Sequence, residues 1–133
     1  MKTAELIGPA LDWAVAKAKG DFQFEVYCKR VWYLWFATHG SLSPHHTDSI
    51  WWNPSTDWEQ GGPIIERERV SVEVTCMGSG FEWSARCDPM ENASYGEYGP
   101  TPLIAAMRCY CCAKLGDEID IPEELQPCQQ PIL

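Results

Sequence analysis

At 133 residues and 45% hydrophobic content, the chain is long enough to bury one core and too short to divide comfortably into two domains. Ten basic residues against nineteen acidic ones give a formal net charge of -9, which repels a phosphate backbone and argues against direct nucleic-acid binding. No apolar run is long enough to span a bilayer, and the opening residues carry neither the apolar stretch nor the cleavage site of an export signal, so the expectation is a cytoplasmic protein without a membrane role.

In chain order, residues 3–19 place Leu6, Ala10, Leu11, Trp13, Ala14 and Ala18 close to a helical stripe that Thr3 could cap. Pro9 removes an internal donor, so either the helix begins near Pro9 after Gly8 or it is kinked there; Gly20 ends it. Phe22, Phe24 and Val26 then alternate with polar residues and a continuous apolar run follows over 31–36, the pattern of a hairpin turning at Lys29 and Arg30. Residues 38–54, rich in His, Ser, Pro and Asn, read as a surface excursion ordered by Ile50, Trp51 and Trp52, and serve as a lid or a partner contact in that reading.

Val70, Val72, Val74 and Cys76 alternate with polar residues as a half-buried strand, which Gly78 and Gly80 turn into a second strand over 81–87. Residues 88–98 read as a loop. Thr101 followed by Pro102 opens a helix with Leu103, Met107, Tyr110, Cys111 and Leu115 on one face, closed by Gly116. The expected fold is therefore α+β: a single domain over 1–125 in which an antiparallel β-sheet packs with an N-terminal and a C-terminal helix, and 126–133 form a tail.

Seven cysteines, an odd number without an export signal, read as reduced thiols, and Cys109, Cys111 and Cys112 point in different directions on one helix and cannot converge on a metal. His39, His45 and His46 with Asp48 lack metal-site spacing, and no serine sits in a nucleophile elbow, so neither a metal, a cofactor nor a catalytic residue is assigned. The densest polar cluster is residues 54–68. There Ser55, Thr56 or Asp57 could cap a short turn holding Trp58, Glu59 and Gln60, and Gly61-Gly62-Pro63 is expected to break it. Glu66, Arg67 and Glu68 would then sit at the edge of the next strand, with the two acids on one face.

Residues 1–6 (MKTAEL), 10–17 (ALDWAVAK), 55–68 (STDWEQGGPIIERE) and 101–125 together make the chain resemble the NinX-like family of small temperate-bacteriophage proteins, whose biochemical role is unassigned. The resemblance covers about half the chain and fails over residues 26–52, where the aromatic and histidine-rich run does not match the family pattern. It implies an accessory protein of host takeover, acting in the infected cell and absent from the virion, an inference by analogy.

Two readings follow. In the first, the protein sequesters a small nucleotide-like host defence signal without turnover: Trp58 or Trp52 stacks the base, the amides of Gly61 and Gly62 with Gln60 and Arg108 meet phosphate or ribose, and Asp57 and Glu66 accept hydrogen bonds. In the second, an acidic and aromatic surface occupies a basic site on a host enzyme or nuclease, with residues 38–52 as contact loop. Nucleotide cleavage by Glu66 with Asp57 ranks third, and homo-oligomerisation is left open.

Overall fold

The computed structural model describes residues 1–21, 23–34, 49–78, 80–87 and 97–126. Helix α1 (Gly8–Lys19) has Pro9 in its first turn, where a missing N–H costs nothing, so proline starts the helix and does not kink it; Gly20 closes it at φ 66°. Thr3 does not cap α1. It lies in a separate 3-10 turn (Thr3–Glu5), where its hydroxyl donates to the Gly116 carbonyl at 2.6 Å and its N–H to that of Asp117 at 2.8 Å.

Strands β1 (Phe24–Tyr27), β2 (Arg30–Leu34) and β3 (Ser49–Trp52) form one antiparallel sheet in that order. The β1–β2 turn puts both Cys28 (φ 53°) and Lys29 (φ 60°) in the left-handed region, as a two-residue hairpin requires, although neither is glycine. The excursion expected over 38–54 is thus corrected at its end: residues 49–52 are a strand with Val31 opposite Trp52 and Trp32 opposite Trp51, while 35–48 lie outside the described residues. Phe24, Val26, Val31, Tyr33, Ile50 and Trp52 share the face turned to α1, where Trp13 meets Phe24 edge to face at 6.4 Å.

Helix α2 (Trp58–Glu68) leads into a second antiparallel sheet, β4 (Ser71–Met77), β5 (Gly80–Arg86) and β6 (Glu97–Gly99). The loop expected over 88–98 therefore ends in a strand, and its residues 88–96 lie outside the described ones. Helix α3 (Pro102–Leu115) starts as expected, with Thr101 Oγ1 accepting the Ile104 N–H at 3.1 Å and Pro102 in the first turn. It is buried nearly all round, from Leu103 to Cys111, because α1 packs on one side and the second sheet on another. A Cβ at Gly99 would sit 2.7 Å from the Ala105 N, so β6 can lie against α3 only through glycine.

The buried residues form one cluster, with Leu11 and Val15 of α1, Val31 and Trp52 of the first sheet, Ile64 of α2, Ala85 of the second and Met107 and Tyr110 of α3. Class and antiparallel pairing agree with the sequence reading; the strands divide into two sheets where one was expected. Among the described residues no helix is long and apolar enough to cross a membrane.

Candidate binding groove

The groove is built where the chain leaves β3. After Trp52 the backbone folds tightly, with the N–H groups of Thr56 and Asp57 both donating to the Asn53 carbonyl. Asp57 then caps α2, its carboxylate accepting the Glu59 N–H at 3.0 Å. The turn is pinned to α1 by Asp12. Its Oδ1 accepts the Ser55 N–H at 2.9 Å, and its backbone carbonyl accepts the Trp52 indole N–H at 3.0 Å. Burial pushes the Asp12 carboxyl up to about 6.

Gln60, one turn into α2, reaches back to the outer edge of β3, which has no strand partner among the described residues. Its Oε1 accepts the Asn53 N–H at 2.6 Å and its Nε2 donates to the Trp51 carbonyl at 2.7 Å, so one side-chain amide satisfies the donor and acceptor that a neighbouring strand would otherwise pair. Between β3 and α2 this leaves an open groove of about 560 Å³. Its apolar wall is Tyr33, Ile50, Trp51 and Trp52; Asn53, Asp57, Glu59 and Gln60 supply the polar side. Ile50, Trp51 and Glu59 are exposed, and the Arg30 guanidinium stacks 4.3 Å from the Trp51 ring centroid.

Three of the residues singled out in the sequence, Trp52, Asp57 and Gln60, therefore meet at one groove. Trp52 is only 8% exposed, so it leaves little ring surface for a base to stack on. Trp58 is exposed in the first turn of α2 but does not line the groove.

Gly61-Gly62-Pro63 does not break the helix; α2 runs through it to Glu68. Gly61 donates its N–H to the Asp57 carbonyl, so that amide is not available to a phosphate. Its lack of a side chain has another cause: a Cβ there would lie 2.5 Å from the Pro54 carbonyl oxygen and 2.6 Å from Leu103 Cδ2. Gly62 faces open space.

Glu66, Arg67 and Glu68 lie on the last turn of α2, not on a strand edge, because β4 begins only at Ser71 after the left-handed Arg69 at φ 54°. On a helix, residues two apart do not share a face. Asp57 and Glu66, nine residues apart along α2, are separated by roughly 13 Å of helix axis and do not converge. Arg108 is committed elsewhere, its Nε donating to the Leu6 carbonyl and its Nη1 to that of Tyr98, both at 2.8 Å.

Ile50, Tyr33, Glu59 and Asn53 complete the groove without having been singled out as ligand contacts, and Trp51 joins them as one of the three tryptophans read as possible stacking surfaces. The one signal that could have located its support is Asp12, a carboxylate inside the apolar run of α1. Among the cysteines, Cys109 donates to Cys87 at 3.3 Å with both buried, and that bond together with desolvation pushes the Cys109 thiol up. Burial and a hydrogen bond to Asp117 push Cys112 up to about 12, so neither is an activated nucleophile. Among the described residues no group of His, Cys, Asp and Glu is placed to hold a metal ion; His39, His45, His46 and Asp48 lie outside them.

The family model described as "Bacteriophage P22, NinX" matches residues 2–114, and the chain belongs to that family. Among curated proteins no relative matches it.

Proposed function

We propose that this member of the phage NinX family is a non-enzymatic accessory protein that binds a basic host protein through the β3–α2 groove and so inhibits a host enzyme or nuclease of defence. The observation that carries the reading is that Asp57 and Glu59 line a groove beside Tyr33 and Ile50, with Trp51 at its rim, in a molecule of net charge -9. Such a groove suits an arginine or lysine side chain: the aliphatic stem lies on the aromatic wall while the charged head reaches the carboxylates. Acidic charge outside the groove would speed the encounter.

This reverses the order of the two readings drawn from the sequence, for a physical reason. Capture of a nucleotide-like signal relied on the Gly61 and Gly62 amides and on Arg108 for its phosphate, and the Gly61 amide and the Arg108 guanidinium already have protein partners. What still favours a nucleotide is Trp51, whose exposed indole carries Arg30 beside it, a base platform with a cation at hand.

The two readings separate by salt and by what the protein carries. Tagged protein is incubated with host extract at about 0.05 and 0.5 M salt, beside Asp57→Lys/Glu59→Lys, and is also heated to release small molecules for mass spectrometry. A host protein held at low salt, lost at high salt and lost with the double variant supports the reading. Equal capture by both forms, or a nucleotide released on heating, overturns it.

A further inference from the structure

Strand β4 lies at one side of its sheet, in the order β4-β5-β6, and its outer edge has no strand partner among the described residues. It is seven residues long, in unbroken register with β5 from Ser71 opposite Arg86 to Met77 opposite Gly80. Exposed edges of this length are normally blunted by a bulge, a proline or charged side chains, lysine above all. The sequence SVEVTCM has no proline and no lysine, its register is unbroken, and Glu73 is its one charge.

The face of the sheet that meets α3 points the same way. Val72, Val74 and Cys76 lie on it opposite Ala85, Trp83 and Phe81. Near β6, Ala85 is buried; toward the hairpin tip, Val74 is 56% and Phe81 76% exposed, and Cys76 is exposed beside them. In a chain of net charge -9, the described residues at this end of the face carry apolar side chains only.

We propose that β4 pairs with β4 of a second copy, antiparallel about a two-fold axis at Val74, joining the two three-stranded sheets into one of six. With Val74 on the axis, Val72 lies opposite the second copy's Cys76, Glu73 opposite its Thr75 and Ser71 opposite its Met77, so no two carboxylates stand directly opposite each other, and the two Glu73 side chains meet only on the diagonal. The apolar ends of the two faces become continuous, and both edges acquire partners for their N–H and C=O groups. Because both copies are acidic overall, salt strengthens this contact by screening their repulsion, the opposite of its effect on the groove.

Sedimentation equilibrium of the whole chain tests the pairing. Wild type should move from the 15.1 kDa monomer to twice that mass as concentration rises, at lower concentration in higher salt. Val74→Asp sets two carboxylates against each other at an exposed position, as does Val74→Lys with two ammonium groups, and each variant alone should remain monomeric. An equimolar mixture of the two should regain the doubled mass. A wild type monomeric throughout, a dimer that survives either variant alone, or a mixture that stays monomeric overturns the proposal.

Discussion

The carboxylate of Asp12, buried on α1, accepts the backbone N–H of Ser55 at 2.9 Å and thereby fixes the turn from which the groove is built. The bond spans 43 residues of sequence and ties the entrance of α2 to α1.

Burial of this carboxyl, which outweighs the opposing effect of its bond to Ser55, makes stability depend on pH. Burial raises the Asp12 pKa from 3.8 to about 6, so the folded chain holds this proton more tightly than the unfolded chain does. The resulting stabilisation is fully present below about pH 4 and is lost as pH rises through 6, a span worth up to about 3 kcal/mol. Asp12→Asn keeps an acceptor for Ser55 but cannot ionise. Urea unfolding at pH 4, 5, 6 and 7 should show the variant gaining on wild type across that interval; a constant difference would mean the carboxyl does not titrate there.

The two glycines of α2 should respond oppositely to alanine. At Gly61 a Cβ would collide with the Pro54 carbonyl and with Leu103, and relief requires backbone or core movement, expected to cost about 1–3 kcal/mol. At Gly62 the added methyl meets open space, and the better helix former should stabilise by about 0.5–1 kcal/mol. Thermal unfolding of Gly61→Ala and Gly62→Ala checks this, and equal shifts would refute the close packing of α2 on the turn.

Gln60 should matter through its two bonds to β3. Gln60→Ala leaves the Asn53 N–H and the Trp51 carbonyl without protein partners at an edge that water reaches, and should cost about 0.5–1.5 kcal/mol. The local signature is hydrogen exchange: the Asn53 amide should exchange much faster in the variant, while amides of β4 and β5 stay as protected as before. An unchanged Asn53 amide would show that the edge is held by something else.

Much of this fold is legible locally. Gly20, Thr101, Pro102 and Gly116 mark helix ends by chemistry confined to a few residues, and the alternation of Val72 and Val74 marks a strand by period alone. Where reading fails, the cause lies far away in sequence. Gly61-Gly62-Pro63 looks like a breaker until α2 is packed on Pro54 and Leu103, where Gly61 is the residue that fits. Strand β3 is four residues long and gains its identity only by pairing with β2 across 35–48. Gln60, Asp57 and Trp52 were found as a polar and aromatic cluster, but their placement at the edge of β3 depends on that pairing and on Asp12.

Whether the groove between β3 and α2 engages a host protein is read out by photo-crosslinking in infected cells. A photoreactive phenylalanine analogue replaces Ile50, which is exposed on the apolar wall, in otherwise wild-type protein and in Asp57→Lys/Glu59→Lys. A discrete adduct with a basic host protein is expected, and it should disappear in the double variant. The same adducts in both backgrounds, or none in either, would contradict that engagement.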